Sequence, residues 1–269
     1  MNDLLLLAIA MLATGAVGGV LAGLFGIGGG IVIVPALDAA LTFVDTDPAI
    51  RMHVAVATSL ATIIPTSIAT SRAHHRRHSV DFGLVRRWSI FILLGAIAGA
   101  WLASRLHSNV LSAVFAVFAL LIAIKLLLPL DGKTLAQGIP RGAAITLLPF
   151  SIGGISSMMG IGGGTLSVAA LTLLNQPIHR AVGTAALFGL VISLPGTIGF
   201  MVAGFGDPRL PVGSLGFVNL IGIALIAPTT VLLAPAGVAL AHRLAQRQLS
   251  LLFGAFLLFV SLRMISRAL

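Results

Sequence analysis

Residues 24–31 read Leu-Phe-Gly-Ile-Gly-Gly-Gly-Ile, and residues 158–165 read Met-Met-Gly-Ile-Gly-Gly-Gly-Thr. The two glycine clusters lie about half of the 269-residue chain apart. An apolar segment follows each cluster, at 30–44 and at 163–174. Both segments are too short to cross a ~30 Å hydrocarbon core comfortably, because a crossing takes about 20 helical residues. The recurrence of this pattern predicts an internal repeat.

Two further blocks match in the same order along the chain. His53-Val-Ala-Val-Ala-Thr58 matches His179-Arg-Ala-Val-Gly-Thr184, and Pro65-Thr-Ser-Ile68 matches Pro195-Gly-Thr-Ile198. Three matched blocks in one order are unlike chance similarity and favour an internal repeat.

The composition places these repeats in a membrane. Apolar residues make up 58% of the chain and charged residues 9%, whereas a soluble domain carries roughly 25% charged residues. The formal charge of +9 comes from basic residues between apolar segments, which is typical of membrane topology and argues against nucleic-acid binding. The absence of cysteine excludes disulfides and thiolate metal sites.

Segment lengths predict a hairpin at each glycine cluster. As single helices at 1.5 Å per residue, residues 4–44 would span about 60 Å and residues 143–174 about 48 Å. Both lengths exceed the bilayer, so the chain has to turn back at the glycines. We therefore predict an all-α polytopic membrane protein with one domain, 1–269, and repeats at about 4–130 and 143–266. Each repeat is a glycine-broken helical hairpin followed by three crossing helices.

Basic residues predict the orientation of the helices. The loop 72–87 carries five arginines and is predicted to be cytoplasmic, with both termini outside. Eleven of the 16 lysines and arginines then lie inside. These are Arg72, Arg76, Arg77, Arg86, Arg87, Lys125, Lys133, Arg141, Arg180, Arg243 and Arg247. Each half crosses an odd net number of times, so the halves are inverted, an arrangement typical of secondary transporters with interrupted helices.

The glycine turns are the sharpest candidate site. Successive N–H groups in such a turn form an anion-binding nest, and the following helix adds its positive N-terminus. Two such turns facing one axis would frame one substrate site, although glycine would also serve merely for a tight turn and close helix contact. The predicted contacts are Gly28, Gly29, Gly30, Gly162, Gly163 and Gly164.

Polar residues beside the turns extend the candidate site. Thr58, Ser59 and Thr184 carry hydroxyls that either donate to a substrate oxygen or bond a carbonyl of their own helix. His53 and His179 occupy matched positions at the start of a crossing helix. They either gate, bind an anion or relay protons, or else cap a helix at the interface.

Helix-start and packing patterns complete the local predictions. Asp47-Pro48 has the pattern of an N-cap followed by proline at the first helical position, and Asn175-Gln-Pro177 is predicted to match it in the second half. The glycine series 15, 19, 23 and the pair 95, 99 predict close helix–helix packing faces. Asn219, in the apolar span 214–236, is expected to face protein, where it serves helix packing or contacts the substrate.

The paired GIGGG turns, each followed by H-x-A-V-[A/G]-T, resemble the TauE/SafE family of sulfite and sulfonate exporters. The resemblance covers about residues 5–266 and is strongest over 153–197. It implies a polytopic permease for small sulfur-containing or organic anions. We further expect alternating access and no cofactor. The first copy has Ala57 where the second has Gly183, and Ser59 where the second has Ala185.

The sequence distinguishes between four function classes. Export of a small anion, sulfite or a related sulfonate, is the favoured one, and the alternative is an anion channel or a permease for another small organic anion. An enzyme is disfavoured because the spans lack a nucleophile–base pair or a metal constellation. A structural role does not explain two glycine turns. We expect a multi-pass protein of the inner (plasma) membrane whose partners are the substrate and lipid; a homodimer is one compatible oligomeric state.

Overall fold

Helices dominate the computed structural model, which describes residues 2–25, 29–128, 144–241 and 246–268. The first half contains α1 (Asn2–Phe25), α2 (Gly30–Phe43), α3 (Pro48–His75), α4 (Phe82–Ala103) and α5 (Ser108–Leu127). The second half contains α6 (Ala144–Met159), α7 (Gly164–Leu173), α8 (Ile178–Ala203), β1 (Ser214–Leu215), β2 (Val218–Asn219), α9 (Leu220–Ala241) and α10 (Gln246–Ala268).

Helices end and restart at both glycine clusters, as predicted. The first break separates α1 from α2 and the second separates α6 from α7. The helix after each break is short, with 14 residues in α2 and 10 in α7, and each packs against the helix before it. Gly28, predicted within the first turn, lies outside the described residues.

Five of the described helices, α3, α4, α5, α8 and α9, are long and apolar enough to cross a membrane. The helix α3 is the most enclosed of the five. One face of α4 exposes Ile90, Leu94, Ile97 and Trp101, whereas Trp88 and Ile92 are buried. Large apolar side chains on an outer face suit contact with lipid, so the fold is that of an α-helical membrane protein, as predicted.

Small residues bring neighbouring helices into close contact. A Cβ atom on Gly95 or Gly99 of α4 would overlap a backbone carbonyl oxygen of α6, that of Phe150 or Gly154. The glycines 15, 19 and 23 of α1 meet the backbone of α9 in the same way. Both predicted packing faces are confirmed, and the approach is the one that small residues permit between membrane helices.

The helices α3 and α8 pack against each other, and each also contacts further helices. The helix α3 also contacts α2 and α9, while α8 contacts α7 and α4. Outside this group α1 packs on α9, α6 on α4 and α10 on α5. The two short helices α2 and α7 therefore reach the rest of the protein chiefly through α3 and α8.

The segment before α9 differs from the predicted continuous span 214–236. Strands β1 and β2 form an antiparallel pair, with Ser214 opposite Asn219. Glycines with positive φ at Gly213 (78°) and Gly216 (57°) provide the turns that this pair needs. Asn219 is buried, as expected, and its Oδ1 accepts the N–H of Gly222 at 2.8 Å, so it caps the start of α9.

The predicted helix starts have different outcomes in the two halves. Asp47 caps α3 and accepts the N–H of Ala49 at 2.8 Å, with Pro48 as the first helical residue, as predicted. The prediction for Asn175–Pro177 is wrong, because Pro177 is itself the N-cap of α8 and no side chain caps it. Asn175 has a φ of 62° and forms the turn after α7 instead.

Candidate functional site

The two glycine turns share one backbone conformation at the residue before the short helix. Gly29 has φ 76° and ψ −10°, and Gly163 has φ 74° and ψ −10°. Each is a left-handed residue followed by a helical glycine, Gly30 or Gly164, which is the alternation that forms an N–H nest. All four glycines are buried.

Neither short helix has a side-chain cap at its N-terminus. The first N–H groups of a helix have no partner within the helix, so they need an external acceptor when they are buried. The positive end of the helix dipole lies at the same place. The starts of α2 and α7 are therefore suited to an anion or another strong acceptor.

The two turns lie against each other. A Cβ atom on Gly30 would overlap the carbonyl oxygen of Gly160 and would lie 2.9 Å from the Cα of Ile161. Only a residue without a side chain permits this approach. The structure thus brings together two of the predicted regions, at Gly30 and at the beginning of the second turn.

The helix α3 holds the second turn. Ser59 is fully buried, and its Oγ donates a hydrogen bond to the carbonyl oxygen of Gly160 at 2.8 Å. A Cβ on Gly162 would lie 2.7 Å from Cγ2 of Ile63, one turn further along α3. Ser59 therefore lies at the predicted site, but its hydroxyl already donates its proton to a backbone carbonyl of the protein.

The matched threonines hold the beginnings of two crossing helices. The Oγ1 atom of Thr58 accepts the backbone N–H of Asn219 at 2.9 Å, and that of Thr184 accepts the N–H of Asp81 at 3.0 Å. Asp81 caps α4 through its contact with the N–H of Leu84 at 3.0 Å, as Asn219 caps α9. Thr58 and Thr184 are buried and act alike, each as an acceptor for the residue that caps a helix.

The matched histidines are in different surroundings. The side chain of His53 is buried, and its Nε2 donates to the carbonyl oxygens of Leu106 (3.0 Å) and Ala103 (3.2 Å) at the end of α4. Its ring lies 5.1 Å from that of Phe217. His179 is exposed in the first turn of α8. The structure does not present the two histidines as an equivalent pair.

A group of hydroxyls around the second turn was missed by the sequence analysis. These side chains are buried, and their oxygen atoms have no hydrogen-bond partner among the described residues. They are Ser156, Ser157, Thr165, Ser167 and Thr197. The signal in the sequence was the contrast between Thr165-Leu-Ser167 after the second cluster and Ile31-Val-Ile33 after the first.

The chain is similar to proteins from three organisms. A probable membrane transporter protein of Haemophilus influenzae is 33% identical over 258 residues, 94% of this chain and 96% of the relative. The probable membrane transporter protein YunE of Bacillus subtilis is 28% identical over 73% of this chain and 79% of its own. The probable membrane transporter protein MJ0441 of Methanocaldococcus jannaschii is 22% identical over 95% and 94%. No solved structure matches.

A family model described as "Sulfite exporter TauE/SafE" matches residues 11–264. The match includes both glycine turns, the helices that contact them and the group of hydroxyls. It agrees with the resemblance drawn from the GIGGG turns. Two of the relatives named as probable membrane transporters match almost the whole chain. The chain belongs to the TauE/SafE family of membrane transporters.

Proposed function

We propose that this protein is a secondary transporter that exports a small anion, sulfite or a related sulfonate, by alternating access across the inner (plasma) membrane. The observation that carries the proposal is the pair of buried helix starts at Gly29–Gly30 and Gly163–Gly164, which have the same conformation and no side-chain caps. An anion in a low-dielectric interior needs donors or positive charge. Sulfite and the direction of export are taken from the description of the family.

The electrostatics of the central helices favour backbone and hydroxyl donors over ion pairing. Residues 52–71 of α3 and residues 144–173 of the second hairpin contain no Lys, Arg, Asp or Glu. A site built from neutral donors holds an anion weakly enough to release it, which a carrier requires. The same donors do not perform bond-breaking chemistry, so the proposed protein moves its substrate unchanged.

The proposal includes two inverted repeats within one domain. Exchanging each helix for its counterpart converts the packing of α1 on α9 into that of α6 on α4, and the packing of α3 on α9 into that of α8 on α4. The matched roles of Thr58 and Thr184 support the same arrangement. A rocking of one repeat against the other would then expose the turns to each side alternately.

Single-cysteine labelling tests the inversion directly, since the chain has no native cysteine. His78→Cys lies between α3 and α4, and Val212→Cys lies in the corresponding connection between α8 and α9. In intact cells, we expect an impermeant thiol reagent to label the cysteine at 212 from outside and to leave that at 78 unlabelled. Labelling of both from the same side would contradict the inverted arrangement. Lys133, Arg141 and Arg243, part of the charge argument, lie outside the described residues.

Flux in proteoliposomes tests the proposed function. The purified protein is reconstituted, and movement of sulfite, thiosulfate, sulfoacetate, sulfate and chloride is measured with and without a pH gradient. We expect saturable flux of sulfite or a sulfonate, with exchange of labelled substrate from the far side. Flux that rises linearly at channel rates would favour the alternative of an anion channel, and no flux of any anion would contradict the proposal.

A further inference from the structure

Buried hydroxyls in this protein are of two kinds. Along α3, Thr66 and Thr70 donate to carbonyl oxygens of their own helix, those of Thr62 (2.8 Å) and Thr66 (2.9 Å). Ser156 and Ser157 at the end of α6 are fully buried and have no partner among the described residues. A buried hydroxyl that lacks an acceptor costs free energy, so a group of them needs an explanation.

The two serines are directed to one face of α8. The Oγ of Ser156 lies 3.5 Å from the position of a Cβ on Gly163, the residue that caps α7, and Ile192 of α8 lies against that same position. The Oγ of Ser157 lies 3.0 Å from the position of a Cβ on Gly196, one helical turn beyond Ile192. The N-terminus of α7 and both hydroxyls therefore border the same stretch of α8.

The residues near this stretch favour an anion over a cation. Residues 144–206 contain no Asp or Glu, so this segment offers no carboxylate to a sodium or other metal ion. The start of α7 contributes N–H donors and the positive end of a dipole. Donors that approach from several directions fit an anion with several oxygen atoms better than they fit a halide.

The first hairpin has no such donors. Counting from the glycines, Ala22 and Gly23 occupy the places of Ser156 and Ser157. Ile31 and Ile33 occupy those of Thr165 and Ser167, and both isoleucines are fully buried. The two helix starts therefore share the backbone conformation of Gly29 and Gly163 but have opposite side-chain polarity at the matched positions.

We propose that the second hairpin alone holds the oxoanion end of the substrate, through Ser156, Ser157 and the N-terminus of α7, while the first hairpin closes the site with aliphatic side chains. This inference rests on the proposed function and assigns the residues that bind the sulfite-like or sulfonate head of its substrate. Thr165, Ser167 and Thr197 belong to the polar lining of the same region.

The first test uses the protein without substrate. Ser156→Ala and Ser157→Ala remove hydroxyls that lack a partner, so the melting temperature should stay the same or rise. The matched control is Ser261→Ala in α10, which removes a buried hydroxyl that donates to the carbonyl oxygen of Leu258 at 2.9 Å. That control should lower the melting temperature by about 2–4 °C. If either alanine variant at 156 or 157 is as destabilised as the control, or fails to fold, the hydroxyl serves the protein and the proposal is overturned.

The second test adds anions to the same variants. A ligand that binds the folded protein raises its melting temperature. Sodium sulfite and sodium methanesulfonate should stabilise the wild type and Ser261→Ala, and sodium chloride at equal ionic strength should not. Ser156→Ala and Ser157→Ala should need about tenfold or more anion for the same shift, because a hydrogen bond to a charged group is lost.

The outcomes separate the two proposals. If the wild type transports sulfite and both serine variants have the same apparent affinity for sulfite as the wild type, the inference is wrong and the proposed function stands. Stabilisation that follows sodium, and disappears when potassium sulfite replaces sodium sulfite, would overturn the assignment of an anion. If the wild type moves no anion in proteoliposomes, the proposed function fails and the inference fails with it.

Discussion

The two glycine turns differ in what surrounds them, although Gly29 and Gly163 share one backbone conformation. A Cβ on Gly29 would lie 2.7 Å from the carbonyl oxygen of Gly18, in the backbone of α1. A Cβ on Gly163 would instead overlap the end of the Ile192 side chain, which can move. Gly29 therefore faces the main chain of its own hairpin, whereas Gly163 faces the side chains of Ile192 and Ser156. Under the proposal, the same glycine helix start stabilises the fold in the first hairpin and binds the substrate in the second.

The largest expected effect is a loss of stability at the first turn. In Gly29→Ala the new Cβ meets backbone that cannot rotate away, and alanine also disfavours the positive φ. We expect a loss of about 3 kcal/mol or more in the free energy of unfolding. Little monodisperse protein should be recovered from detergent extracts. Recovery at the wild-type level would contradict the contrast between the turns.

The matched substitution at the second turn should be milder. Gly163→Ala carries the same strain in φ, but the side chain of Ile192 can shift, so we expect a folded protein that is less stable by about 1–2 kcal/mol. Gly206→Ala is the control for strain alone, because Gly206 has a φ of 82° and nothing lies within 4 Å of its Cβ position. Thermal unfolding of Gly29→Ala, Gly163→Ala and Gly206→Ala side by side measures how their losses of stability rank.

The histidines sharpen the comparison between the halves. His53→Ala removes a buried ring and leaves the carbonyl oxygens of Ala103 and Leu106 without their donor. We expect a loss of about 2–3 kcal/mol in the free energy of unfolding. His179→Ala alters an exposed residue, and its effect should stay within about 0.5 kcal/mol. If chemical denaturation shows that His53→Ala and His179→Ala lose equal free energies of unfolding, burial of His53 does not distinguish the two histidines.

The threonines test where the halves should agree. Thr58→Val and Thr184→Val each leave one backbone N–H without its acceptor, that of the buried Asn219 or that of the half-buried Asp81. We expect similar losses of about 1–2 kcal/mol for both. Thr42→Val, whose exposed side chain donates only to the carbonyl oxygen of Asp38 in its own helix, should be near neutral. A large effect in one half alone would contradict the matched roles.

A small effect is expected in the connection between α8 and α9. Two hydrogen bonds from the Arg209 guanidinium, at 2.9 and 2.6 Å, lower the pKa of Asp207 from 3.8 to about 2. A carboxyl with a lowered pKa stabilises the fold above its unfolded pKa and loses this contribution as the pH falls toward about 2. Asp207→Asn should therefore cost less than about 1 kcal/mol at pH 7, because the Arg209 side chain is 49% exposed and water screens the pair. The cost should be constant from pH 5 to pH 8 in unfolding measurements.

Helix breaks could be predicted from the sequence because length and glycine alone decide them. The stretches around Gly26 and Gly160 are too long for one crossing, and a chain with several glycines in a row turns most easily there. The strand pair at 214–219 could not be predicted, since two-residue strands leave no period to detect in an apolar stretch. Asn175 showed that an N-cap residue near a proline serves a turn equally well.

The candidate site was less predictable, because its side chains depend on distant partners. Burial of His53 needs Phe217 and the end of α4, neither of which is near it in sequence. Whether a serine or threonine hydroxyl bonds its own helix also cannot be read from residue type. Thr66 does so, but Ser156 has no partner among the described residues. The predicted roles of the glycines, of Ser59 and of the matched pairs in substrate binding stay predictions.

Sulfite flux through reconstituted Gly163→Ala is the most direct test of the glycine site. The substitution keeps every backbone N–H but places a methyl group in the second turn, beside the proposed oxoanion position. Compared with the wild type and with Gly206→Ala, we predict that folded Gly163→Ala loses about tenfold or more of its flux, because small displacements of a substrate carry large costs. Gly206→Ala should transport at the wild-type rate. Flux at the wild-type rate with unchanged apparent affinity in Gly163→Ala would mean that the glycines serve packing and that the substrate binds elsewhere.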